Sequence, residues 1–110
     1  MLKKFNHLAI AVKNIKKASE MYKHAFDAKV SSPKSYLGHG VKVVFVEMDN
    51  SKIELMEPLD NNSPISNFLK KHPEGGIHHI CVEVENIHKV RENLIEKGFR
   101  ILGDGQPKIG

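Results

Sequence analysis

Hydrophobic and polar positions alternate in two stretches of the chain, and the two stretches match. In Phe5–Val12 the bulky apolar residues Leu8, Ile10 and Val12 interleave with His7, Ala9 and Ala11. In Ile77–Val84, Ile80, Val82 and Val84 interleave with His79, Cys81 and Glu83. Side chains on a strand point alternately to opposite faces, so each stretch predicts a strand with one bulky face. The correspondence continues from Asn14-Ile15 to Asn86-Ile87. Helical spacing then places Ile15, Ala18 and Tyr22 against Ile87, Val90 and Leu94. Each copy therefore reads as strand, short link and amphipathic helix. An internal repeat of this length implies two similar units. The bulky strand faces are expected to bury against the helices, with Phe26 and Phe99 completing the helix faces. The faces that begin with a histidine and continue with small or polar residues leave room for a ligand.

Between the copies, Val41–Met48 and Lys52–Glu57 flank the turn residues Asp49-Asn50-Ser51 and predict a β-hairpin. If Ile53 and Leu55 face the helices, Glu54 shares the side of His7 and His79. Ser31–Gly40 reads as a short strand and an irregular loop ending Gly38-His39-Gly40. After the turn-rich Pro58–Asn62, Ser63 has the chemistry of a helix N-cap and Pro64 that of a first helical residue. The short helix they start carries Ile65, Phe68 and Leu69 and should stop at His72-Pro73. Gly103-Asp104-Gly105 reads as a turn. The fold class is α+β.

Composition narrows the partners. With 110 residues, 40% of them hydrophobic and 27% charged, the chain is sized and composed for one globular domain. The net charge of +4 suits an anionic ligand. Five Phe, two Tyr and no Trp, without aromatic-basic interleaving, argue against nucleic acid. Cys81 is the single cysteine, which excludes an intrachain disulfide and fits a reducing compartment. No apolar run has membrane-spanning length, so the expected setting is cytoplasmic, away from membranes.

The pattern leaves three candidate metal ligands on one face: His7, Glu54 and His79. One histidine at a strand start is ordinarily structural. Two at equivalent points of a repeat, with a carboxylate on the same side, point instead to a divalent ion such as Zn, Co, Ni, Mn or Fe. His78 adjoins His79 but should face the other way, as a packing or supporting residue. His24, His72 and His88 are expected in solvent, and His39 lies in a loop from which it can approach a ligand. Phosphate-binding glycine loops, nucleophile elbows and Cys-x-x-Cys pairs are missing from the sequence.

Several runs resemble the methylmalonyl-CoA epimerase family of the vicinal-oxygen-chelate (glyoxalase-like) superfamily. They are Phe5–Val12, Gly40–Val46, Lys52–Leu59, Ser63-Pro64-Ile65 and, most specifically, Gly75-Gly76-Ile77-His78-His79-Ile80-Cys81. The resemblance covers essentially the whole chain. It implies one domain of paired βαβββ modules: module one over 1–59, a linker with a short helix over 60–76, and a partial module two over 77–110 lacking its last two strands. It assigns His7, Glu54 and His79 to a Co, Zn, Mn or Ni ion. A fourth ligand and an acid/base glutamate are expected on a last strand beyond Lys108-Ile109-Gly110. A glutamate expected as opposing base is replaced by Gly38, which makes His39 the candidate catalytic group. The implied reaction is epimerisation of methylmalonyl-CoA through a metal-stabilised enolate, impaired by these losses, with Lys3, Lys4 and Lys42 as candidates for the coenzyme A tail. An exposed sheet edge would favour a homodimer. The alternatives are a lyase acting on a thiol adduct and a non-catalytic metal- or small-molecule-binding remnant.

Overall fold

The computed structural model describes residues 2–103 and residue 106. Its contacts divide the chain into a larger unit, Asn6–Cys81, and a smaller one made of Met1–Phe5 and Val82–Gly110. The elements run in the order β1 (Leu2–Ala11), α1 (Ile15–Phe26), β2 (Lys29–Val30), β3 (Lys34–Tyr36), a 3₁₀ turn (Leu37–His39), β4 (Val41–Glu47), β5 (Lys52–Pro58), α2 (Pro64–Lys71), β6 (Gly76–Val84) and α3 (Ile87–Glu96). This is the α+β class expected from the pattern. The two-residue strand β2 was not anticipated. Asp104 and Gly105 of the expected turn, and the Lys108-Ile109-Gly110 stretch, lie outside the described residues.

The sheet has the order β2-β4-β5-β1-β6, with β3 also paired to β4. β4 and β5 form the predicted hairpin, in register from Val41 opposite Pro58 to Glu47 opposite Lys52. β1 joins β5 in parallel, from His7 opposite Lys52 to Ala11 opposite Met56. The pairing is extended by the Val12 N–H donating to the Met56 carbonyl at 2.8 Å.

Within residues 6–81, helices cover both faces of this sheet. On the first face, Ile15, Ala18 and Tyr22 of α1 pack on Ile10, Val12, Val44, Val46, Ile53 and Leu55. Leu55 and Val44 are 1% exposed, and burying an aliphatic side chain so fully contributes about 1.5–3 kcal/mol. Phe26 does not join them and is 68% exposed. α1 ends there, because Asp27 turns into the left-handed region at φ 51° and returns its N–H to the Tyr22 carbonyl. On the second face, Ile65 and Leu69 of α2 pack with Ala9, Ala11, Val41, Val43 and Met56. The small residues Ala9 and Ala11 were expected to leave space for a ligand. Both are 0% exposed, so that space seats α2 and only the end of the face near His7 remains.

The helix starts follow local chemistry. The Asn14 carboxamide accepts from the Lys17 N–H, and the Ser63 hydroxyl accepts from the Ile65 N–H. Each satisfies a donor that a helix N-terminus leaves without an intrahelical partner. The Ser66 hydroxyl donates to the Asp60 carbonyl at 2.7 Å and ties α2 to the preceding turn. Gly75 then brings the chain into β6. Its φ is +80°, and a Cβ there would stand 2.5 Å from the Ala11 carbonyl oxygen, so only glycine fits this approach.

In the smaller unit, Asn86 caps α3 by accepting from the His88 and Lys89 N–H groups, as Asn14 caps α1. The expected burial of the α3 face is not seen. Val90 and Leu94 are half-buried, Ile87 is 52% exposed and Phe99 61%. Ile80, in the larger unit, is 60% exposed. Nothing among the described residues covers these side chains fully.

Candidate metal centre

Three strands of the larger unit deliver the polar end of the second face. Opposing residues on paired strands share a face, so the β1–β5 register puts Glu54 on the side of Ala9 and Lys52 on the side of His7. β1 lies between β5 and β6, and β6 brings His79 to the other flank of His7.

The three expected residues converge. His7 Nε2 lies 3.5 Å from Glu54 Oε1, His79 Nε2 lies 3.7 Å from the same oxygen, and the two Nε2 atoms are 3.4 Å apart. Donors bound tetrahedrally at about 2.1 Å from one ion stand about 3.4 Å from each other. The triangle therefore matches one face of such a coordination sphere in both size and donor type. Among the described residues it is the one group of three or more such side chains with this geometry. The His7 and Glu54 side chains are 14% and 15% exposed and that of His79 40%, so the group is open on the His79 side.

The surroundings hold the rings in place. The Phe45 ring meets His7 edge-on at 6.3 Å, and Lys52 Nζ sits 4.9 Å over that same ring. Asn6 Oδ1 lies 2.7 Å from His7 Nδ1, and His78 Nδ1 lies 2.9 Å from His79 Nδ1. His78 stands edge-on to Phe68 of α2 at 5.2 Å. Burial pushes the His78 imidazole below its ordinary value of 6.5. The neighbouring His79 acts in the same direction and Glu54 opposes both.

Other candidates stand apart from the triangle. His39 ends the 3₁₀ turn, exposed, with its ring stacked against Tyr36 at 6.3 Å. Lys42 occupies the β4 position next to the buried Val41 and Val43. It lines a groove of about 350 Å³ with Lys16 and Lys23 on the α1 side of the sheet. His24 pairs with Glu20 at 3.5 Å on the α1 surface, and His72 lies 4.7 Å from Phe68. Cys81 is a half-buried free thiol. Phe45 and Lys52 escaped the sequence reading, although counting two residues back from Glu54 places Lys52 on the same face. Asn6 gave no signal of its own beyond its place before His7. None of the described helices is long and apolar enough to cross a membrane.

The family profile described as Glyoxalase/Bleomycin resistance protein/Dioxygenase superfamily matches residues 6–110. The chain is 49% identical over 110 residues to the ethylmalonyl-CoA/methylmalonyl-CoA epimerase of Cereibacter sphaeroides, covering all of this chain and 82% of that protein. It is 50% identical over 107 residues to a mitochondrial methylmalonyl-CoA epimerase of Dictyostelium discoideum, covering 97% of this chain and 64% of that one. It thus spans less than two thirds of the length of the second relative. A variant Streptomyces coelicolor methylmalonyl-CoA epimerase, solved with 2-nitronate-propionyl-CoA, superposes with a TM-score of 0.89 at 23% identity. That match covers all of this chain and 79% of that one, and at this identity it establishes the fold. With the profile spanning nearly the whole chain and identity to curated relatives near one half, the chain belongs to the Glyoxalase/Bleomycin resistance protein/Dioxygenase superfamily and, within it, to the methylmalonyl-CoA epimerase family.

Proposed function

We propose that this chain acts as a divalent-metal-dependent methylmalonyl-CoA epimerase, inverting the α-carbon of a malonyl-type thioester. The observation that carries this reading is identity near one half, sustained over all 110 residues, to a protein that bears the epimerase name. Removing the weakly acidic α-proton builds negative charge on the thioester oxygen, so the site needs positive charge at that oxygen and a group to move the proton. His7, Glu54 and His79 are the residues that would hold a Co, Zn, Mn or Ni ion. Such an ion supplies Lewis acidity toward a carbonyl oxygen. Lys52, over the Phe45 ring on this face, adds positive charge for an anionic acyl-CoA. His39 is the proposed proton-transfer group, two residues before β4. The single thiol Cys81 supports a reducing, cytoplasmic setting.

The same reading includes a homodimer. β6 ends the described sheet, and Ile77 and Ile80 on it are 63% and 60% exposed. An edge strand with apolar side chains offers unpaired backbone groups to a second copy. Sedimentation across a concentration series should show a monomer–dimer equilibrium, and a monomer at every concentration would remove this part of the proposal.

The activity is tested by wash-in of solvent deuterium at the α-carbon of methylmalonyl-CoA. Exchange should depend on added Co or Zn and should be lost in His7→Ala and Glu54→Leu variants whose circular dichroism matches the parent. Absence of exchange with every divalent ion tried, or undiminished exchange in both variants, would overturn the proposal.

A further inference from the structure

The repeat that places His7 on His79 also places Asn6 on His78, each one residue ahead of its histidine. The two preceding residues differ chemically, yet they make the same contact. Asn6 Oδ1 approaches His7 Nδ1 at 2.7 Å. An amide oxygen can only accept, so His7 Nδ1 is the donor of this contact, and in the neutral ring Nε2 then keeps its lone pair. That Nε2 is the atom 3.5 Å from Glu54 Oε1. In the second copy His78 Nδ1 approaches His79 Nδ1 at 2.9 Å, and again the far nitrogen of the histidine, Nε2, turns toward Glu54 at 3.7 Å. One of two facing ring nitrogens must donate. If His79 donates, both histidines present bare Nε2 atoms to the same point.

We propose that Asn6 and His78 are positioning residues: each holds the histidine that follows it in the Nδ1–H tautomer, with the Nε2 lone pair directed at the Glu54 carboxylate. This rests on reading His7, Glu54 and His79 as metal ligands and adds what orients two of them. An imidazole anchored through Nδ1 cannot swing its ring or exchange its nitrogens without breaking that bond. The donor atom is thereby set before any cation arrives. Partners of this kind typically change metal affinity by about 10–100-fold when removed. His78 is itself braced by Phe68, which packs against the buried residues under α2. The orientation of His79 is thus tied to a helix that contributes no ligand.

The test uses the full chain with ¹⁵N-labelled histidine and compares the parent with Asn6→Leu, Asn6→Asp, His78→Phe and His78→Gln. In metal-free protein, ring nitrogen shifts should report Nδ1–H for His7 and His79. Asn6→Leu should release the first and His78→Phe the second. Titration with Co(II), followed by its visible absorption, should show both apolar variants binding about 10–100-fold more weakly. Asn6→Asp and His78→Gln keep an acceptor at each place and should retain the parent affinity. Equal Co(II) affinity in the parent and both apolar variants, or Nε2–H tautomers in the parent, would overturn the inference. A parent that takes up no Co(II), but whose Nδ1–H tautomers are lost on Asn6→Leu and His78→Phe, would overturn the metal reading and leave the positioning roles standing.

Discussion

Gly38 puts a hydrogen where the family resemblance leads one to expect a carboxylate. A Cβ built at this position meets no atom within 4 Å, and its backbone is not among the positive-φ glycines. Gly38→Glu should therefore fold like the parent. If a glutamate here acts as the opposing base, the substitution should raise the rate of α-deuterium wash-in by about 10²-fold or more, the usual scale of one well-placed acid/base group. An unchanged rate would mean that the proton is handled from elsewhere, with the adjacent His39 the first residue to replace. Single residues also show where reading the chain alone falls short. Alternation put His7, Glu54 and His79 on one face because period two is strict along a strand. The same rule cannot say what covers that face, which is why the small Ala9 and Ala11 looked like space for a ligand and proved to be the seat of α2. Asn6 was illegible for a related reason: its contact runs to its own neighbour, and strand periodicity carries no information about such contacts.

Among the elements, α1 and α3 were legible from their apolar spacing, α2 from its Ser63-Pro64 start and the hairpin from its turn residues. Asn14, Ser63 and Asn86 cap the three helices, and Asp49-Asn50-Ser51 separates the hairpin strands. The end of α1 was less clear, since Asp27 takes a left-handed conformation that glycine adopts at lower cost. Asp27→Gly removes that strain and is expected to stabilise the fold by about 0.5–1 kcal/mol, read as a higher midpoint in urea at unchanged slope. A lower midpoint would show that the Asp27 side chain contributes more than its backbone costs. The turn into β6 predicts the opposite sign. Gly75→Ala must relieve an approach of 2.5 Å to the Ala11 carbonyl and hold φ +80°, so a loss of at least about 1–3 kcal/mol is expected in the same experiment. A neutral result would require the α2–β6 turn to shift freely.

At the scale of the whole molecule, apolar area is unevenly covered: Leu55 and Val44 are sealed, whereas Ile77, Ile80, Ile87 and Phe99 each remain more than half exposed. Burial of α3 could not be read from amphipathic spacing, which marks its apolar stripe without supplying anything to lie against it. An ion held by His7, Glu54 and His79 would couple to the better-packed unit. Divalent metal at a hundred times its dissociation constant should raise unfolding stability by about 2.7 kcal/mol, and His7→Ala should abolish that gain. No metal-dependent shift in the melting curve would count against the site. One further consequence follows from the parallel seam between β1 and β5. Its partners, His7 with Lys52 through Ala11 with Met56, lie far apart along the chain, and no tight turn can join strands that run the same way. Helices and the hairpin can form from sequence neighbours, but this seam must await closure of a long loop, the kind of non-local pairing that slows folding. The donor triangle draws on both sides of the seam and on β6 as well. During refolding, far-ultraviolet ellipticity should therefore recover first, and the visible absorption of captured cobalt should follow with a measurable lag, making the ion a clock for the last contacts to assemble.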